Sequence, residues 1–400
     1  MSAQETLTAA AISQTPQPSR KIIFTLATGA GLSAATLYYN QPMLSTLGQA
    51  FQADVSITGF IPTLTQIGYA LGILLLVPLG DRIDRRALIV FKSLLLALAL
   101  LMCSLMPTIS GLLIVSLAIG VMATMAQDIV PASAAMAPME HRGKVVGSVM
   151  TGLLTGILLS RVVSGFVTQY WGWQSMYLLA ALSIALIGVT VWRLLPRFEP
   201  DTDLSYLSLL GSMASLWRRY APLRKAALAQ GLLFLSFSAF WSTLAVMLAD
   251  VYGFGSAVAG AFGLAGAAGA LAAPLAGRMA DKQGPETVSK LASALVALAF
   301  AAMFLLPLLP SQGQIVLIIA SAIVFDFGVQ SALVAHQTLI FGLEPPARGR
   351  LNAILFTCGF IGMAMGSALG SQALAHFGWV GVVVLTTLGG VGSLIVRVWK

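Results

Sequence analysis

Four ionisable side chains stand inside long apolar runs of this 400-residue chain: Asp128, Arg161, Asp326 and His336. A charge held away from water is expensive, so each is a candidate for function. The chemistry open to them is narrow. A carboxyl that is costly to ionise can carry a proton between two aqueous phases. A guanidinium can hold an anion, or hold and release a carboxylate. An imidazole changes charge near neutral pH. Arg161 could pair with Asp128, which a rise of about 1.5 Å per residue puts roughly 10 Å away in depth. Alternatively it binds an anionic solute, or frees Asp128 for protonation. Asp326 could carry a coupling proton or be a hydrogen-bonded structural acid. His336 could titrate or be a satisfied packing residue.

Other polar groups fall at helical spacing near these charges. Asp326, Gln330 and Gln337 share one helix face, which in lipid must look toward protein or a water-filled path. Gly29, Ser33, Thr36 and Asn40 form a second such stripe, and Gln66 and Tyr69 lie in the next apolar run. Phe234, Phe237 and Trp241 also share a face. Aromatics with a few polar groups suit a partly apolar ligand, although ordinary packing gives the same pattern. Gly260, Gly263, Gly266 and Gly269 recur at every third residue. Close helix packing is the simplest reading, because no strand precedes them to make a dinucleotide loop.

The composition says what must hold these residues. Residues of the AVILMFWYC set make up 58% of the chain and charged residues only 9%. A soluble surface needs about 25% charge, so most of this surface faces lipid. Cys103 and Cys358 both sit in apolar runs, which excludes a disulfide scaffold. The histidines, at 141, 336 and 376, form no paired motif. An intramembrane enzyme would need a nucleophile–base pair or a metal cluster at one depth, so an enzyme is not expected. No G-x-x-x-x-G-K-[ST] loop is present, which argues against ATP-driven pumping. No cofactor, metal or nucleic acid is expected.

A spanning helix needs roughly 20 apolar residues, and twelve such runs lie between residues 22 and 397. Residues 1–21 read as a polar N-terminal tail. Residues 22–195 hold six runs, 196–222 form the longest polar connection, and 223–400 hold six more. With the N-terminus in the cytoplasm, all but one of the 22 Lys and Arg fall on the cytoplasmic side, counting Lys92 as just past the loop between runs 2 and 3. The exception is Arg161. The net charge of +8 is thereby assigned to cytoplasmic loops. A multi-pass protein of a bacterial inner membrane, with both termini cytoplasmic, is expected.

The halves echo each other. Gly80-Asp81-Arg82 matches Ala280-Asp281-Lys282. From the loop after run 4 onward the offset is constant: Arg142-Gly143 matches Arg348-Gly349, Gly156 matches Gly362, and Gly172-Trp173 matches Gly378-Trp379. Two six-helix units that both start inside are related by an axis along the membrane normal, with a solute site between them near the midplane.

The segment from Val77 to Arg86 reads V-P-L-G-D-R-I-D-R-R. It matches the signature G-x-x-x-D-[RK]-x-G-[RK]-[RK] at Asp81, Arg82, Arg85 and Arg86, with Val77 and Asp84 in place of the two glycines. A second copy keeps Gly277, Asp281, Lys282 and Gly284. On these motifs the chain resembles the major facilitator superfamily over residues 20–400. Tyr38-Tyr39-Asn40-Gln41-Pro42 resembles the bacterial drug/proton-antiporter-like efflux branch. Against the antiporter signature G-x-x-x-G-P-x-x-G-G, residues 156–165 keep small residues at Gly156, Ser160, Ser164 and Gly165 but place Arg161 at the proline. The arginine expected in run 4 of that branch is absent.

The resemblance implies an all-α membrane protein of two pseudo-symmetric six-helix bundles. It implies that the two signature loops latch the cytoplasmic side. Asp81 is expected to accept from backbone N–H groups at a nearby helix start. Runs 1, 4, 7 and 10 are implied to line the cavity, which makes Asn40, Asp128, Trp241 and Asp326 candidates beside Gln66, Arg161, Gln330 and His336. The small residues, with Gly362, Gly366 and Gly370, are expected to form a packing seam between the halves. The expected function is secondary transport of a small organic solute by alternating access, as proton-driven efflux by a monomer. Proton-coupled import and a non-transporting sensor are the alternatives.

Overall fold

The computed structural model describes residues 18–200, 202 and 204–399. Residues 1–17 of the expected N-terminal tail lie outside the described residues. Within the described residues every regular element is helical. Among the described residues nine helices are long and apolar enough to cross a bilayer. One of them, Pro345–Val398, is two crossings joined at Gly378, whose backbone is not helical. Two further crossings are interrupted. The first runs as Arg20–Ala35, a buried turn, Gln41–Met43 and Leu44–Phe51; the eighth runs as Ser256–Ala261, Phe262–Gly266 and Ala267–Gln283.

The described residues thus hold twelve crossings, numbered here as spans 1 to 12. Span 1 covers 20–51 and span 8 covers 256–283. Spans 2 to 6 are Val55–Asp81, Arg85–Ser104, Ile109–Met136, Arg142–Trp171 and Trp173–Leu194. Spans 7, 9 and 10 are Ala221–Tyr252, Pro285–Leu308 and Ser311–Phe341. Spans 11 and 12 divide Pro345–Val398 at Gly378. Odd spans begin on the side that carries the chain ends, the terminal side; even spans begin on the far side.

Local sequence sets the ends of the helices. Asp84 caps span 3, its Oδ1 accepting from the backbone N–H of Arg86 and of Phe198, each at 2.9 Å. That was the role expected of Asp81, which instead pairs with Arg85 at 3.1 Å. Asp84 takes it because it directly precedes the helix, where the free N–H groups point. Gly172 and Gly378, matched by the repeat, reverse the chain between spans 5 and 6 and spans 11 and 12 with φ of 85° and 63°. A side chain would strain either turn, so both copies keep glycine.

Small residues decide which helices touch. A Cβ on Gly31 would run 3.2 Å from the Gly152 carbonyl carbon and 3.5 Å from the Gly156 Cα, so span 1 lies directly on span 5. Likewise Gly362, Gly366 and Gly370 of span 11 lie against the backbone of Gly231, Leu235 and Ala239 of span 7. These seams occupy the same place in each half and bind the first span of a half to the fifth. They were expected to join the halves. Small residues at i, i+4 and i+8 give backbone contact along a whole face, which suits rigid packing inside a half rather than a surface that must part. Of the expected seam, Gly165 does cross, lying against Ser256 and Gly260 of span 8. Ser160 and Ser164 turn their hydroxyls onto their own helix, at Ile157 O and Arg161 O.

The halves meet on the far side. Ser367 Oγ donates to Gly59 O at 3.0 Å, and Gln372 Nε2 to Ser56 O at 3.3 Å, joining span 11 to span 2. Gln169 Oε1 accepts from Ala257 N at 2.8 Å, and Ser256 Oγ donates to Gly165 O at 3.0 Å, joining span 5 to span 8. A Cβ on Gly59 would collide with the Ser371 side chain. Overpacking of this kind costs about 1–3 kcal/mol. Gly59→Val is therefore expected to hold the far side open, raising the maleimide reactivity of a cysteine at Ser56 about tenfold and stopping transport. Ser371→Gly should restore closure, and unchanged reactivity in Gly59→Val would mean that the seal rests on other contacts.

The central connection is not only polar loop. Tyr206–Arg219 forms a helix capped by Ser205, with Leu209, Met213 and Leu216 buried and Tyr206 Oη donating to Leu75 O at 2.8 Å. Its apolar residues are diluted among Ser and Arg, which hid it in the sequence.

Candidate functional site

The break in span 1 builds the centre of the molecule. Pro42 has no N–H to continue the helix, and residues 36–43 turn within the protein interior. That turn presents Tyr38 and Gln41 to Arg161 of span 5. Arg161 is 3% exposed. Its Nε donates to Gln41 Oε1 at 2.7 Å. Its guanidinium carbon lies 4.5 Å from the ring centre of Trp241, 4.9 Å from Tyr38 and 5.6 Å from Phe237. Ring faces attract a cation electrostatically, which offsets part of its burial. Nη2 has no hydrogen-bond partner, and neither does Gln41 Nε2.

Asp326 of span 10 is 4% exposed. Its Oδ1 accepts from Trp241 Nε1 at 3.4 Å. Trp241 thus touches both charged groups, its ring facing the Arg161 guanidinium and its Nε1 donating to Asp326. The glycines of span 8 make the room. A Cβ would come within 2.8 Å of Arg161 Cβ from Gly263, 2.9 Å of Asp326 Oδ2 from Gly266, and 2.9 Å of Gln330 Cγ from Gly269. These glycines were read as close helix packing; what they pack against is the polar cluster.

Around the cluster lies a cavity of about 80 Å³ between the halves, lined among others by Tyr38, Arg161, Phe237, Asp326 and Gln330. Of its other lining residues, Leu154, Ile157 and Leu158 of span 5 and Phe234 of span 7 lie toward the terminal side. With Asp326 ionised the cavity is electrically neutral; with Asp326 protonated it carries one positive charge.

The other expected residues lie elsewhere. Asn40 Nδ2 donates to Thr65 Oγ1 at 3.4 Å, and Gln66 Oε1 accepts from Ser238 Oγ at 3.2 Å. These bonds tie span 2 to spans 1 and 7. Gln337 Nε2 donates to Asn352 Oδ1 at 3.0 Å on span 11, so the stripe of span 10 divides between cavity and packing.

Asp128 does not pair with Arg161. It binds Lys92 Nζ at 2.6 Å, with the two side chains 2% and 1% exposed. Lys92 lies about two turns into span 3, too deep to be a loop charge, and reaches span 4 more directly than Arg161 does. Asp128 also abuts Gly80, at the end of span 2. His336 is buried with both ring nitrogens engaged, Nε2 by Ser289 Oγ at 2.7 Å and Nδ1 by Gln230 Oε1 at 2.8 Å. It links spans 7, 9 and 10.

In the first signature loop Arg86 donates to the backbone carbonyl of Trp192, at the end of span 6. In the second, Gly284 ends span 8 with φ of 85°, and Asp281 and Lys282 are exposed, as is Arg82. Gly277 has open space around its Cα.

Sequence reasoning missed Lys92, Tyr38 and Gln41. Depth within the run was the signal for Lys92. Proline inside span 1 was the signal for the other two, because it marks where a helix opens.

A family model described as Major Facilitator Superfamily matches residues 26–340. The "Putative uncharacterized transporter YgaY" of Escherichia coli (strain K12) is 37% identical over 366 residues, covering 91% of each chain. The "Probable transporter SCO4007" of Streptomyces coelicolor is 31% identical over 371 residues, covering 92% of this chain and 84% of that one. The crystal structure of the nucleoside transporter NupG superposes with a TM-score of 0.74 at 13% identity, covering 94% of this chain and 100% of that one.

Proposed function

Since the chain belongs to the major facilitator superfamily and is a multi-pass membrane transporter, we propose that it moves a small organic solute out of the cell by alternating access, with Asp326 as the proton site. The observation that carries this reading is that Arg161 and Asp326 line one cavity between the halves. Moving between the two faces requires burying whatever charge the cavity holds. Occupancy by proton and solute then decides whether the halves can rock.

The basic connections lie on the terminal side, which we assign to the cytoplasm of a bacterial inner membrane. The conformation described above is then the one closed to the outside, with its cavity reaching toward the cytoplasm, from which an exported solute loads. The domain division at residues 196–222 follows the same reading, with the two halves as rocking bodies.

The test uses purified protein in proteoliposomes and a panel of small solutes. An imposed pH gradient should drive flux of at least one of them, and a protonophore should abolish it. Flux of a panel member that ignores both the gradient and the protonophore would remove the proton from the mechanism.

A further inference from the structure

Resting on that reading, we propose that the solute is a small carboxylate and that it occupies the cavity together with a proton on Asp326. Arg161, which lines the cavity, keeps one buried donor without a partner, Nη2, and Gln41, bound to it through Arg161 Nε and Gln41 Oε1, keeps another, Nε2. Both residues are more than nine-tenths buried. Unpaired buried donors are costly, and a carboxylate supplies acceptor oxygens that suit a guanidinium. A cationic solute gains little here, because the faces of Tyr38, Phe237 and Trp241 already hold Arg161.

Charge balance links the carboxylate to the proton. The titratable groups facing the cavity are Arg161, Asp326 and Tyr38. With Asp326 ionised, Arg161 has its counter-charge and a second anion is repelled. With Asp326 protonated, Arg161 needs an anion. Carboxylate and proton therefore bind together and travel in the same direction, as net acid. The exchange of proton for solute expected from the sequence is replaced in this proposal by co-movement. Export then runs down the gradient of the acid.

The cavity also limits size. An apolar cavity of 150 Å³ accommodates benzene, so about 80 Å³ holds the carboxylate and a few further atoms. The rest of the solute extends out of the cavity past Leu154, Ile157 and Leu158, toward the terminal side.

The experiment measures binding in detergent by calorimetry, with propionate and benzoate as probes against propionamide, benzamide and benzylamine. Proton uptake is followed in weakly buffered solution. The expected result is binding of a carboxylate with uptake of close to one proton, and at least tenfold weaker binding to Arg161→Gln. If Arg161→Gln fails to fold, Arg161→Lys keeps the charge and should lose affinity while still taking up the proton. Preference for an amide or the amine, failure of both carboxylates to bind, or binding without proton uptake would each overturn the proposal. Failure of the transport reading looks different: the carboxylate binds with its proton, yet no pH gradient moves it across the proteoliposome membrane.

Discussion

Asp326→Asn is expected to lower net solute flux by at least about 100-fold while leaving solute exchange close to wild type. The amide mimics the protonated acid, so the loaded cavity still pairs Arg161 with its anion and still reorients. The empty cavity no longer can. Without the carboxylate, Arg161 would be carried through a closed state as an uncompensated charge. The effective penalty for a buried ion is several kcal/mol, and about 2.7 kcal/mol already slows a step 100-fold. Net efflux from loaded proteoliposomes and exchange of labelled for unlabelled solute separate the two steps. If exchange is lost along with net flux, Asp326 is needed to hold the solute and is not the proton carrier.

A second large effect is expected away from the cavity. Lys92→Met takes from the buried Asp128 its 2.6 Å ion-pair partner, beside Gly80 at the end of span 2. Removing one member of a buried ion pair costs about 3–5 kcal/mol, and the variant should melt at a clearly lower temperature in detergent. Replacing a buried pair with apolar residues of similar volume is often neutral or stabilising. The double variant Lys92→Met/Asp128→Leu should therefore recover most of the loss and should keep proton-linked flux. Wild-type melting in Lys92→Met would show that the pair contributes nothing to stability. Loss of proton linkage in a well-folded double variant would return Asp128 to the transport pathway.

The architecture was legible because lipid imposes it. Apolar runs of fixed length, basic connections on one side and the Gly-Trp turns at 172 and 378 each have one physical reading. Within the site, Arg161, Trp241 and Asp326 stood out as expensive or bulky groups in a scarce background. Their partners did not. Which carboxylate faces which cation depends on the rotation of each helix about its axis, and a row of residues gives only relative phase within one helix. Arg161 was therefore matched with Asp128 by depth, whereas rotation puts it in one cavity with Asp326 and gives Asp128 to Lys92. The small residues misled for a related reason. Their spacing announces close contact along one face but not the neighbour it touches, so a seam inside each half read as one between halves.

The three rings around Arg161 amount to a cation receptor whose tenant is part of the chain. A tethered group sits at an effective concentration that a dissolved one rarely matches. A hydrophobic cation arriving from solution thus meets a site that is already filled, and is turned away by competition for an attraction rather than by a repulsive wall. The same tenancy holds the guanidinium in place before any solute arrives, so an entering acid meets an arginine already pointed at it and little ordering is left to be done on binding.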